Sequence, residues 1–259
     1  MPALPVILSG AELLVSLMAY ITRTCSRWTA LLLCLATIVI NSAAASVTML
    51  GNRVIYPAQT REKTLQFTND DAVPALMQIW LDVDNARSTP ETADAPFVAS
   101  PQIFRMNPKS GQMVRLVYTG KGLPTDRESL FHLNFLQVPA VKESNTDKNK
   151  LVLLVRNRLK VFYRPEGLAG EANQVGKQLR IQRKGNVLQV SNPTPYYASI
   201  SYAKSGKNSL HIDPADMIAP FSQVSWPISS ALPKGKLKLV LGIMNDYGVE
   251  VPVTLETQH

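Results

Sequence analysis

Beyond residue 45 this chain shows no sustained apolar repeat of helical period; it is a succession of short apolar or alternating runs cut by turn residues. The first series covers residues 46–56 (broken at Gly51-Asn52), 64–68, 75–82, 97–99, 103–106, 112–118, 130–138 and 151–163. Asn69-Asp70-Asp71 and Asn107-Pro108-Lys109-Ser110-Gly111 punctuate it. Composition changes at Arg164-Pro165-Glu166-Gly167-Leu168-Ala169-Gly170, a linker-like stretch. A second series follows over residues 179–182, 187–190, 197–202, 224–226, 236–244 and 249–255. Many short strands between turns predict all-β sandwiches, one over residues 46–164 and one over 165–259.

Residues 1–45 are different. Apolar residues fill 2–20, interrupted by Ser9, Gly10 and Glu12, and again 28–40, after Arg23 and Arg27. The second run ends in Asn41-Ser42-Ala43-Ala44-Ala45. A basic flank, a short apolar run and a small-residue ending describe a secretory signal peptide, with cleavage after Ala45. Met18 stands where an alternative start would place the basic flank near the N-terminus. A membrane anchor is the competing reading, but spanning takes about 20 apolar residues.

Both cysteines, Cys25 and Cys34, lie in this leader. The chain after Ala45 therefore has no means to form a disulfide, a thiolate nucleophile or a cysteine zinc site. Its stability must come from apolar cores.

The chain carries 27 Lys+Arg against 19 Asp+Glu. Solubility accounts for most of that excess, and no compact basic run or nucleic-acid motif accompanies it. Enzyme signatures are absent too: no Gly-Lys-Ser/Thr phosphate loop, no His-Glu-x-x-His, no Gly-x-Ser-x-Gly. His211-Ile212-Asp213 reads as a hairpin end rather than a catalytic dyad. Nothing points to a cofactor, a metal or a small-molecule substrate.

The stretch 123–140, Leu-Pro-Thr-Asp-Arg-Glu-Ser-Leu-Phe-His-Leu-Asn-Phe-Leu-Gln-Val-Pro-Ala, sets Asp126-Arg127-Glu128 directly before a strand closed by Pro139. It resembles the signature segment of the periplasmic pilus-assembly chaperones of the chaperone–usher pathway. It departs at His132, where an aromatic is typical, and at Phe135, where an aliphatic is typical. Further stretches resemble the same family in the same order: Gly51-Asn52-Arg53-Val54-Ile55-Tyr56-Pro57, Ala95-Pro96-Phe97-Val98-Ala99-Ser100-Pro101, Leu159-Lys160-Val161-Phe162-Tyr163-Arg164-Pro165, Asn192-Pro193-Thr194-Pro195-Tyr196-Tyr197 and Asn245-Asp246-Tyr247-Gly248.

The resemblance implies two immunoglobulin-like sandwiches in an L shape. It also implies a periplasmic, non-enzymatic chaperone without cofactor that binds pilus subunits and delivers them to an outer-membrane usher. The short, cysteine-free insertion between Pro139 and Leu151 is similar to the short-loop subgroup. Whether the free protein self-caps as a dimer stays open.

Three constellations carry candidate function. By bare periodicity, Leu151-Val152-Leu153-Leu154-Val155 is a strand buried on both faces. The resemblance instead makes it an exposed edge whose Leu151, Leu153 and Val155 are lent to a subunit lacking its own last strand. Leu154 would then face the domain's own core. Arg53 and Lys160 are cations inside apolar strand sequence, either snorkelling edge charges or, by resemblance, the pair that grips the subunit's C-terminal carboxylate. Lys160 has the opposite strand parity from the donor residues, which would call for a bulge or strong twist between them. Glu128, Arg164 and Asp246 are three independent surface charges or, by resemblance, an ion network between the sandwiches.

A pilus subunit or adhesin is the structural alternative. It would carry an alternating N-terminal extension and a disulfide, and the chain after Ala45 has no cysteine. A secreted β-sandwich hydrolase lacks its nucleophile–base pattern. The leader generates the first prediction: N-terminal sequencing of protein released from the periplasm begins at Ser46. An intact leader retained in the membrane fraction would contradict it.

Overall fold

Residues 63–69 alternate in the way a half-buried strand requires, with Leu65, Phe67 and Asn69 inside and the residues between them at or near the surface. That pattern recurs through the computed structural model, which describes Met18 and residues 47–120, 122–140, 153–206, 208–210, 217–228 and 235–258. The expected cleavage site, the insertion after Pro139, Leu151 and the His211–Asp213 pair lie outside these residues.

Nine strands make the first sandwich: β1 (Val47–Met49), β2 (Arg53–Pro57), β3 (Lys63–Asn69), β4 (Ala75–Asp82), β5 (Phe97–Ser100), β6 (Ile103–Met106), β7 (Gly111–Tyr118), β8 (Ser129–Pro139) and β9 (Val155–Arg164). One sheet has the order β1-β3-β7-β5 and the other β2-β9-β8-β4-β6. The chain crosses from the first sheet to the second at the Leu50–Asn52 corner. Between the sheets lie Tyr56, Phe67, Met77, Leu116, Leu133, Phe135 and Val161, all buried. Phe135, the departure from the family pattern, meets Phe67 edge-on at 5.2 Å.

Eight strands make the second: β10 (Arg180–Lys184), β11 (Val187–Asn192), β12 (Ala198–Ser205), β13 (Asn208–Leu210), β14 (Met217–Ile218), β15 (Ser222–Pro227), β16 (Lys238–Met244) and β17 (Glu250–Glu256). The orders are β10-β11-β15 and β13-β12-β16-β17, with β14 pairing β12. A separate core of Ile181, Leu188, Ile218, Trp226, Leu239 and Leu241 fills it. A short α-helical turn, α1, covers Val175–Gln178. No described helix is long and apolar enough to cross a membrane.

One polar cluster is buried in the outer face of the β9 sheet. Asp82 is fully enclosed and accepts from Arg158 at 2.5 Å, Asn134 Nδ2 at 2.6 Å, Ser88 Oγ at 2.8 Å and the Asn85 N–H at 3.0 Å. Burial alone would raise its pKa, but Arg158, Asn134, Ser88 and Asn85 outweigh burial and hold it below the usual carboxylate range. His132 lies beside it, its Nδ1 3.1 Å from the Val83 carbonyl, with burial first and Arg158 second lowering its pKa.

A carboxylate with a depressed folded pKa adds stability above its unfolded value and loses it as pH falls through the folded one. Asp82→Asn should therefore cost about 3 kcal/mol near pH 7. The gap to wild type should narrow as pH drops below about 3.9. Urea unfolding across that range measures both; a gap independent of pH would contradict the assignment.

Candidate functional site

β9 is flanked unequally. On one side β8 runs antiparallel along it in unbroken register, from Gln137↔Val155 to Ser129↔Tyr163. On the other, β2 runs parallel to its second half only, from Arg53↔Lys160 to Pro57↔Arg164. Residues 155–159 therefore present a free backbone edge among the described strands. The reading of a strand buried on both faces does not hold.

Two expectations about this strand need correction. It begins at Val155, so Leu153 and Leu154 precede it. Leu153 is 69% exposed and Leu154 56%, so Leu154 is not in the domain's core; Val155 is 51% exposed. The cause is position: Val155 pairs with Gln137 near the last residues of β8, past the packed interior. Of the bulge or strong twist that the parity of Lys160 called for, no bulge lies between Val155 and Lys160, where the register is regular. Val155 and Leu159 share the face of buried Val161, while Arg156, Arg158 and Lys160 share the opposite face.

Parallel partners point the same way, so Arg53 and Lys160 stand side by side on that outer face, with Val54 and Val161 buried behind them. Arg53 Nε is 3.3 Å from Asn52 Oδ1 and its Nη1 3.4 Å from the Met244 carbonyl. Burial lowers both pKa values, offset in part at Arg53 by Asp246 and reinforced at Lys160 by the Arg53 charge. No carboxylate of the described residues lies within ion-pair distance of either. Two half-buried cations side by side without a partner carboxylate form a site complementary to one.

The second sandwich closes one wall. Arg164, four residues along β9, donates Nε to Glu128 at 2.7 Å and both terminal nitrogens to Asp246 at 2.7 and 2.8 Å. Burial opposes the Arg164 charge, yet the hydrogen bonds to Asp246 and the Glu128 charge overcome it and raise its pKa. Glu128 is buried, which raises its own pKa against the pull of Arg164, and its second oxygen accepts the Tyr197 N–H at 2.8 Å. The Glu128 N–H donates to the Pro195 carbonyl at 2.9 Å. Phe162 packs on Tyr197 at 5.7 Å. Glu128, Arg164 and Asp246, from three distant motifs, thus meet between the two cores.

Asn52 Nδ2 donates to the Gly248 carbonyl at 3.2 Å. Gly248 has φ +75°, and any Cβ there would strike the Asn52 side chain, so this turn needs glycine.

Sequence reasoning missed the tether on β9. Arg158 binds Asp82 of β4, and Arg156 donates to the Ala86 and Ser88 carbonyls of the following loop. The signal was present as three cations, Arg156, Arg158 and Lys160, at strand period two. This arrangement generates a prediction: Leu153→Glu and Leu154→Glu each shift stability by no more than about 0.5 kcal/mol, as at ordinary exposed positions. Thermal melting measures this, and collapse of either variant would place that residue in a core.

Residues 46–169 match the pili and flagellar-assembly chaperone family, PapD N-terminal domain, and 174–255 match the pili assembly chaperone PapD, C-terminal domain. The chain is 41% identical over 187 residues to the chaperone protein FimB/FhaD of Bordetella pertussis, covering 70% of this chain and 77% of that one. It is 39% identical over 214 residues to the chaperone protein MrkB of Klebsiella pneumoniae, covering 81% and 91%. Its fold is similar to the crystal structure of the YadV chaperone, with TM-score 0.69, 32% identity and coverage of 82% and 100%. It is also similar to a chain of the Salmonella enterica SafA pilin–SafB chaperone complex, with TM-score 0.70, 27% identity and coverage of 83% and 98%.

Proposed function

The chain belongs to the pilus-assembly chaperones, and on that premise we propose that it binds pilus subunits by lending them the free edge of β9 and delivers them to an outer-membrane usher. The observation that carries the mechanism is the half-paired state of β9: an unpaired backbone edge that runs into an unneutralised Arg53–Lys160 pair.

A subunit strand added to residues 155–159 gains main-chain hydrogen bonds along the edge. Strand addition of this kind is a recurrent recognition mode, with chaperone–pilin pairing among its known instances. Val155 and Leu153, with Leu151 before them, supply apolar side chains to the subunit's groove. Arg53 and Lys160 hold its C-terminal carboxylate through charge-assisted hydrogen bonds, which sets the register of the added strand. Glu128, Arg164 and Asp246 fix the wall that the second sandwich contributes. We assign residues 1–45 to a signal peptide, 46–164 and 165–259 to the two domains, and the site of action to the periplasm. We read the protein as non-enzymatic and of the short-loop subgroup; the family's role as chaperones supports the first and the insertion's length the second.

Lys160→Met and Arg53→Ala should each abolish subunit capture while the protein still melts cooperatively. The loss of one charge-assisted bond is worth about 1.5–3 kcal/mol. Leu153→Glu should do the same, because it drives a carboxylate into an apolar groove. The measurement is co-purification from periplasm with mass spectrometry of the bound subunit. Normal capture by the folded Lys160 and Arg53 variants would sink the anchor, and normal capture by Leu153→Glu the donor strand.

A further inference from the structure

Four large apolar side chains stand in solvent outside both sandwich cores, and two of them share a groove with Arg53. Leu50 is 82% exposed and Tyr247 87%, with Val249 and Val251 behind Tyr247 also exposed. Leu50 sits at the corner between β1 and β2. Tyr247 and Val249 belong to the turn between β16 and β17, in the other sandwich.

The two ends are held rather than loose. The Leu50 N–H donates to the Gln66 carbonyl at 2.9 Å. The Tyr247 and Val249 N–H groups both donate to Asn245 Oδ1 at 3.0 Å, closing the turn on itself. The Asn52–Gly248 hydrogen bond ties corner to turn. Leu50 and Tyr247 line one groove of about 430 Å³, together with Met49, Ile55, the basic side chains Arg53 and Lys63, and Asp246, whose two carboxylate oxygens are both held by Arg164.

Arg53 is therefore a wall of this groove and a member of the anchor pair at once. A strand added along β9 ends where β2 begins, at Arg53. The residue bearing its terminal carboxylate then lies one side chain from the groove. We infer that this groove, shared by the β1–β2 corner and the β16–β17 turn, is a second contact surface for the captured subunit and takes an apolar side chain next to its C-terminal carboxylate.

The inference rests on Arg53 and Lys160 as the carboxylate anchor. Continuity of the groove with that anchor selects the occupant; with Asp246 engaged by Arg164, the remaining Arg53 and Lys63 charges at the groove suit a chain end that carries a carboxylate. Apolar walls held in place by backbone hydrogen bonds lose little conformational freedom on contact. Because the groove is built from both sandwiches, a subunit seated in it also senses the geometry that Arg164 maintains between them.

The test uses the subunit identified by co-purification, in complex with the full chaperone. Leu50→Ser and Tyr247→Ser remove side chains that no core contains, so both variants should melt like wild type. Each should speed subunit dissociation by about threefold or more, since contact changes of this kind act mainly on the off-rate. The double variant should fall short of the product, because both walls hold one side chain. A photo-crosslinker replacing Tyr247 should label the last residues of the subunit. Unchanged dissociation, or a crosslink only to a second chaperone copy or to the usher, overturns the inference. Normal capture by Lys160→Met would remove the anchor instead, leaving the groove to be judged by its own dissociation rates and crosslink.

Discussion

The parallel pairing of β2 with the second half of β9 is the constraint on which the site depends. It begins at Arg53↔Lys160 and runs to Pro57↔Arg164. By ending there, it leaves residues 155–159 without a neighbour on one side among the described strands. By being parallel, it sets two cations side by side on one face. By reaching Arg164, it hands the strand's far end to the second sandwich. A β2 shifted by one residue would turn Arg53 toward the core and Val54 toward solvent, because side chains alternate with period two.

An exposed, partly apolar edge invites unwanted pairing. Here the edge is short, and its outer face carries Arg156 and Arg158. These side chains are tied down: Arg158 to Asp82 within the sheet, Arg156 to loop carbonyls. Holding the strand by its outer face leaves the other face, with Leu159 and Val155, available at the edge. Asp82 is neutralised by Arg158 at the same time. Arg53 and Lys160, half-buried side by side, have no carboxylate of the described residues within ion-pair distance. Two desolvated like charges raise the energy of the free protein, which is the physical basis for proposing that they receive a carboxylate.

Much was legible in the sequence, since alternation and turn residues report burial directly. Phe67, Leu133 and Val161 fall inside as a period of two demands, and the turn residue Lys109 is exposed. The two-sandwich organisation followed from the breaker-rich stretch at 164–170, and two cores lie on either side of it. Motif resemblance brought Arg53, Lys160, Glu128, Arg164 and Asp246 forward as residues of interest. Periodicity alone could not, because an isolated cation in an apolar strand reads equally well as a snorkelling side chain.

What the sequence by itself determined is which face of each strand is apolar, where the chain must turn, and that no cysteine after residue 45 can brace the fold. Only the tertiary structure decided which strands lie beside one another. Leu153 and Leu154 look like continuations of a buried strand until the end of β8 is seen to leave Val155 beyond the packed interior. Glu128, Arg164 and Asp246 are 36 and 82 residues apart in pairs, and nothing local ties them. Burial periodicity is a property of one segment and its solvent, so a sequence displays it. Strand adjacency and charge pairing belong to segments far apart in the chain, so they exist only once the sheets have closed.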